Sequence, residues 1–217
     1  HFTPVSLEEI EDHLLTGSPL PNNAVAVTLD DGFENNYTNA FPILEKYHIP
    51  ATIFLASGMI GKTNEWMITG GGFPKRKMLN WQQIEEMNCH KISFGAHTVS
   101  HPKLPELNDT LAKKEIIDSK DQIENKLGQP CEHFAYPYGL FSDTTWKIVK
   151  QAGFKLACST RSGFNNYERN PMLLHRIEVY GDDPLWKLKQ KLTFGSNDAS
   201  RLFPYKYYLN RIYDRLF

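Results

Sequence analysis

Two adjacent carboxylates, Asp30 and Asp31, follow the apolar run Ala24-Val25-Ala26-Val27 in the segment Thr28-Leu29-Asp30-Asp31-Gly32. Such a run spends its residues on a buried strand. Two neighbouring carboxylates where it leaves the core are costly to keep ionised unless a cation, hydrogen bonds or water compensates them. A second short apolar run, Ile92-Ser93-Phe94-Gly95-Ala96, empties into His97-Thr98-Val99-Ser100-His101. Two imidazoles in H-x3-H spacing, joined by one carboxylate from elsewhere, make a three-ligand set that leaves a divalent metal open to water or substrate. Imidazoles with one carboxylate suit zinc, cobalt or nickel, whereas magnesium and calcium prefer all-oxygen sets. On such an ion the pKa of water falls from about 15.7 to near 7, which is the chemistry of hydrolysis at neutral pH. Either segment alone has a plainer reading, since Asp-Gly is a common turn pair and loop histidines are often only solvated. Their conjunction marks a site.

The elements that would position these groups alternate. Residues 6–15 read as an amphipathic helix opened by the capping box Ser6-x-x-Glu9 and broken by Gly17 and two prolines. The first strand follows, then a helical stretch over 34–47, the apolar strand Ala51-Thr52-Ile53-Phe54-Leu55, and a glycine-rich loop at Gly70-Gly71-Gly72 beside the cleft. A capped helix over 80–87 precedes the histidine strand, a long helix spans 108–127 before Gly128, and Ser142 caps another running to Gly153. Residues 155–159 and 173–179 read as late strands. Asp30/Asp31, His97/His101, Tyr136-Pro137-Tyr138 and His175/Arg176 all fall in or just after apolar runs, at strand C-terminal ends. That is the face on which parallel α/β barrels assemble sites from several loops. The expected fold is therefore α/β, a distorted (β/α) barrel of fewer than eight strands, put at seven, with an open doubly wound sheet as the alternative.

A chain of 217 residues carries one core of this size, so 1–217 reads as a single domain with a leading segment, 1–23, and a C-terminal extension, 180–217, packing on it. In the extension, aromatic and basic residues alternate from Arg201 onward, and the expectation is a helix docked over the barrel. Lys plus Arg (24) nearly balances Asp plus Glu (25), which gives no electrostatic case for nucleic acid. The cysteines Cys89, Cys131 and Cys158 are scattered and indicate neither a disulfide framework nor a thiolate zinc site. No apolar run approaches the ~20 residues of a membrane span, and His1-Phe2-Thr3-Pro4 lacks signal-peptide character. Oligomeric state stays open.

These motifs, in this order, resemble those of the polysaccharide deacetylase family, the family 4 carbohydrate esterases that include the chitooligosaccharide deacetylase of nodulation. Thr28-Leu29-Asp30-Asp31-Gly32 resembles the first motif, T-F-D-D-G, with Leu29 in place of Phe, and His97-Thr98-Val99-Ser100-His101 matches the second, H-[ST]-x-x-H. Phe134-Ala135-Tyr136-Pro137-Tyr138-Gly139 is similar to the third in an F-A-Y-P-Y-G variant, and Leu173-Leu174-His175 fits the fifth, L-x-H. The resemblance implies that Asp31, His97 and His101 bind a divalent metal, most often zinc, that Asp30 is the general base, and that the Tyr138 N–H faces the oxyanion. It also implies that His175 is the general acid. The implied reaction removes N-acetyl groups from an amino-sugar polymer or glycolipid; the compartment stays open, with the cell envelope or the exterior favoured over the cytoplasm. Hydrolysis of another amide or ester, such as an O-acetyl or ureido compound, and a non-catalytic glycan-binding barrel are the alternatives.

Two departures stand out. Ala135 occupies the position where the third motif often has an Arg paired with the catalytic Asp, and Arg176 is the candidate to supply that cation from another strand. The fourth motif's acid-orienting Asp would fall within 158–165, where there is none; Asp143 lies in the preceding helix. Tyr136, His133 or a water are then alternatives to His175 for the acid step.

Overall fold

The computed structural model describes residues 2–67, 74–166 and 169–216, with side chains through 209; the expected glycine loop at 70–72 lies outside them. Six strands form one sheet: β1 (Thr3–Val5), β2 (Ala24–Leu29), β3 (Ala51–Leu55), β4 (Ile92–Ala96), β5 (His133–Ala135) and β6 (Leu156–Cys158). Each pairs in parallel with the next, in chain order. Helices α1 (Leu7–Thr16), α2 (Phe41–Lys46), α3 (Trp81–Asn88), α4 (Asp109–Leu127) and α5 (Asp143–Gln151) fill the successive crossovers, and α6 (Leu185–Phe194) and α7 (Phe203–Leu216) follow. A parallel sheet wound in one direction curls toward a barrel, as expected.

The helices start where the sequence says they should. Ser6 and Glu9 close a reciprocal capping box on α1, Asn80 and Gln83 do the same on α3, and the Asn108 and Ser142 side chains cap α4 and α5. Gly17 and Gly128 take the left-handed conformation that ends α1 and α4.

Side-chain alternation along the strands sets two cores. Outward residues, including Ile53 and Leu55 of β3, Phe94 and Ala96 of β4, Phe134 and Ala157, pack under the helices. Inward residues Phe54, Ala135, Leu156 and Cys158 form a smaller cluster inside the barrel with Leu174, and Leu7, Ile10 and Leu14 of α1 join it. Thus α1 closes the N-terminal mouth. Below it Glu11 pairs with His133 Nε2 (2.9 Å) and Lys155 Nζ (3.0 Å), tying α1 to the starts of β5 and β6. Gly95 sits opposite Phe54 in the register, and a Cβ there would lie 2.5 Å from the Phe54 ring and 2.8 Å from the His133 carbonyl oxygen. Only glycine lets Phe54 fill the barrel at this level. The same period of two places Thr28 and Asp30 above Ala26, and His97 above Gly95, at the open C-terminal mouth.

The described sheet has six strands where seven were expected, and two of its details also differ from expectation. A strand at Thr3–Val5 was not legible, because it is three residues long and contains Pro4, which an edge strand tolerates. The last strand, expected over 173–179, shrinks to a single bridge between Leu174 and Cys158 after a 3-10 turn at Pro171–Leu173. Asparagine side chains take the backbone groups a longer strand would use. Asn165 Nδ2 donates to the His175 carbonyl and its Oδ1 accepts the His175 N–H, both at 2.9 Å, and Asn197 Oδ1 accepts the Glu178 N–H.

Of the extension, Asp183 pairs with Lys191 of α6, whose Nζ also donates to the Glu178 carbonyl, and Phe203 and Tyr207 of α7 pack on Phe194. No helix among the described residues is long and apolar enough to cross a membrane.

Candidate metal centre

At the C-terminal mouth the loops after β2 and β4 bring three ligand atoms together. Asp31 Oδ1 lies 3.4 Å from His97 Nε2 and 3.1 Å from His101 Nε2, and the two imidazole nitrogens are 3.2 Å apart. The edge of a tetrahedron built on ~2.0–2.1 Å zinc–ligand bonds is about 3.3–3.4 Å, so the donor atoms already stand at the spacing one ion requires. His97 Nδ1 donates to the Ala135 carbonyl at 2.7 Å, which fixes the tautomer and turns the Nε2 lone pair toward Asp31. His101 is oriented by packing instead, its ring lying 5.0 Å from Trp66 and 4.6 Å from Tyr138 between ring centroids. The residues fit a divalent ion, and among the described residues this is the group of three with that geometry.

Asp30 is held differently from its neighbour. Arg176 forks it, Nη1 to Oδ1 at 2.6 Å and Nη2 to Oδ2 at 2.7 Å, while Arg176 Nε donates to the Ser159 carbonyl and Nη1 also reaches Thr28 Oγ1. Burial alone would raise the Asp30 carboxyl, but the charge and hydrogen bonds of Arg176 override it and hold the group below its ordinary value. Asp31 moves the same way: burial opposes ionisation, and the two histidines outweigh it. Asp30 keeps 31% of its side chain open to solvent against 16% for Asp31, so the carboxylate outside the histidine cluster is the one a substrate or water reaches. Each Asp30 oxygen retains a second lone pair beyond the Arg176 fork.

Backbone strain concentrates here. Among the described residues, non-glycine positions with left-handed φ include Asp31 (72°), Thr98 (67°), His101 (59°) and Tyr138 (58°), all at the site. A β-branched Thr in that region is an outlier, and such conformations persist where surrounding bonds over-determine them. Thr98 Oγ1 accepts the His101 N–H at 3.1 Å, one such bond. Tyr138 sits at the centre of a turn closed by the Gly139 and Leu140 N–H groups on the Tyr136 and Pro137 carbonyls, and neither turn bond uses the Tyr138 N–H.

The remaining candidates divide. Arg176 supplies the cation expected in place of the Arg absent at Ala135, whose own methyl is buried inside the barrel. His175 lies beside it in sequence but makes no hydrogen bond or ion pair with the Asp–His–His cluster. Its backbone is gripped by Asn165, its Nδ1 has no partner, and a Cβ on Gly163 would collide with that atom. Burial, with the nearby Arg169 and Arg161 charges, pushes the His175 imidazole below its ordinary pKa. Tyr136 and His133, weighed as substitutes for the acid, are committed elsewhere: the Tyr136 hydroxyl donates to the Met172 carbonyl, and His133 binds Glu11 at the opposite mouth. Trp66 was missed because it precedes the glycine loop with no periodic or motif signal.

The family model for polysaccharide deacetylase matches residues 17–157, and the chain belongs to that family. The chain is 33% identical over 175 residues to a poly-β-1,6-N-acetyl-D-glucosamine N-deacetylase of Staphylococcus epidermidis, an alignment covering 75% of this chain and 56% of that protein. Among solved structures it resembles the Streptococcus pyogenes deacetylase PplD in complex with acetate, at 29% identity and a TM-score of 0.76 over 88% of this chain and 80% of that one. It also resembles IcaB from Ammonifex degensii, at 28% identity and a TM-score of 0.76 over 89% and 82% of the two chains. The chain spans a little over half the length of the curated relatives it matches.

Proposed function

We propose that this protein is a metal-dependent hydrolase that removes N-acetyl groups from an amino-sugar polymer, with Asp31, His97 and His101 as the metal ligands. The observation that carries the reading is the pairing of a three-donor cluster at tetrahedral spacing with a second carboxylate, Asp30, that belongs to no ligand set and is held ionised by Arg176. A site that only bound metal would need no such second group.

Held by Asp31, His97 and His101, a divalent ion would supply Lewis acidity toward an acetamide carbonyl and would bring the pKa of water toward ~7. Asp30 takes the proton of the attacking water through the lone pairs that Arg176 leaves free, and Arg176 holds that carboxylate in one orientation. The backbone N–H of Tyr138 donates to the oxygen on which negative charge develops, a contribution of roughly 3–4 kcal/mol for one well-placed donor. Breaking the C–N bond requires a proton on the departing amine, which His175 gives; the products are acetate and a free amino sugar. The depressed pKa of His175 makes it a strong acid once the anionic intermediate has drawn a proton onto it.

The relatives' substrate supports a β-1,6-linked N-acetylglucosamine polymer as the first one to try, and a cell-envelope or extracellular location goes with such a polymer. Acetate released from β-1,6- and β-1,4-linked N-acetylglucosamine oligomers, O-acetylated glycans and cyclic ureido compounds should be compared at equal acyl concentration. Preference for the N-acetylated oligomers supports the reading. Preference for esters or ureides replaces it with another acyl hydrolase, and no release from any of them would leave a glycan-binding barrel.

A further inference from the structure

The segment between the two histidine ligands is held from outside the centre by one side chain. Glu115, on α4, accepts hydrogen bonds from the consecutive backbone N–H groups of Val99 and Ser100 on a single oxygen, Oε2, both at 2.9 Å. Its other oxygen, Oε1, accepts from Ser100 Oγ at 2.7 Å. Two successive N–H groups converge on one acceptor only where the backbone is sharply bent, and the flanking residues Thr98 and His101 carry left-handed φ values of 67° and 59°. On the opposite side of the same segment the Ser57 and Gly58 N–H groups donate to the Thr98 and Val99 carbonyls. The loop is therefore clamped between α4 and the turn after β3, and Glu115 is the charged half of the clamp. Nothing else explains a carboxylate there: its described hydrogen bonds all go to this loop, and Ala112, Ile116 and Ser119 of the same helix already supply the packing against the barrel.

We propose that Glu115 is a positioning residue for the metal centre, setting the strained loop so that His101 Nε2 meets His97 Nε2 and Asp31 at ligand spacing. This rests on the reading of Asp31, His97 and His101 as metal ligands. Residues that orient metal ligands typically cost roughly 10–100-fold in metal affinity or activity when removed. Glu115→Ala removes the acceptor from both backbone N–H groups and should weaken binding, whereas Glu115→Gln can keep its amide oxygen on the Val99 and Ser100 N–H groups and donate its N–H2 to Ser100 Oγ, so it should recover most of the loss.

The test is the zinc dissociation constant by chelator competition, with the visible spectrum of the Co2+-loaded protein as a second readout, for wild type, Glu115→Gln and Glu115→Ala. Asn108→Ala serves as the control, since Asn108 caps the same helix through the Leu111 N–H and does not touch the loop. The expected result is a loss of about 10-fold or more in zinc affinity and an altered cobalt spectrum for Glu115→Ala, largely recovered in Glu115→Gln, with both readouts unchanged in Asn108→Ala. Folded Glu115→Ala with wild-type affinity and spectrum overturns the proposal, as does an equal loss in Asn108→Ala, which would make the effect one of helix stability. Failure of the wild type itself to bind zinc or cobalt would instead sink the ligand assignment, and this inference with it.

Discussion

Arg176 grips Asp30 with both terminal guanidinium nitrogens across 146 positions of sequence, joining the segment after β6 to the end of β2. The pair couples the two ends of an incompletely closed barrel at the point where the chemistry is proposed. Removing the guanidinium in Arg176→Ala leaves Asp30 without the cation that lowers its pKa, so its carboxyl should rise. The acid limb of the pH profile of kcat/KM should then move to higher pH, with turnover at neutral pH down by roughly 10–1,000-fold and zinc affinity within a few-fold of wild type. Arg176→Lys should recover little, because an ammonium cannot form the fork. An unshifted acid limb would show that Arg176 does not tune the base.

Asp30→Asn should retain metal and lose about 100–10,000-fold in kcat, the usual worth of a general base, whereas His97→Ala should lose metal and activity together. Metal content by elemental analysis alongside kcat separates the two roles. Full activity in Asp30→Asn would end the assignment of the base.

His175→Gln addresses the acid step. Loss of about 100-fold or more in kcat with unchanged metal content is expected, and the alkaline limb of kcat/KM in the wild type should lie below that of an ordinary imidazole because burial and the neighbouring arginines depress the group. Unchanged kcat would remove His175 as the acid.

At the opposite mouth, burial opposes ionisation of Glu11, but the hydrogen bonds and charges of His133 and Lys155 hold its carboxyl below the ordinary value. A carboxyl depressed on folding contributes stability that is complete above its unfolded pKa of about 4.3 and is lost as pH falls through the lower folded value. Glu11→Ala should therefore cost about 3 kcal/mol in urea unfolding at pH 7, less at pH 3, and leave kcat of the folded protein unchanged. Equal stability of variant and wild type at pH 7 would show that the cluster holds nothing together.

The alternation of strands and helices was readable because each crossover helix carries its own cap and each buried strand is a short apolar run, as at Ser6, Asn80 and Asn108 and in the fully buried β3. The Asp31, His97 and His101 cluster was readable because its parts follow strand ends. Less local facts were not. The strand expected through His175 gives way to Asn165, a side chain ten residues back whose amide imitates a neighbouring backbone, and no periodicity reports that. Trp66 against His101 and Glu115 under the histidine loop are tertiary contacts made by residue types that are ordinary where they stand. Arg176 could be nominated from sequence only through the gap at Ala135; the fork itself depends on how far the barrel curls.

The most direct test of the central claim is acetate release from N-acetylglucosamine oligomers by protein of measured metal content, purified without a histidine tag, before chelation, after chelation and after zinc is restored. About one zinc per chain, with acetate release lost on chelation and regained with zinc, is the predicted result. Acetate release that persists in metal-free protein, or a protein that takes up no metal under any loading condition, would contradict it.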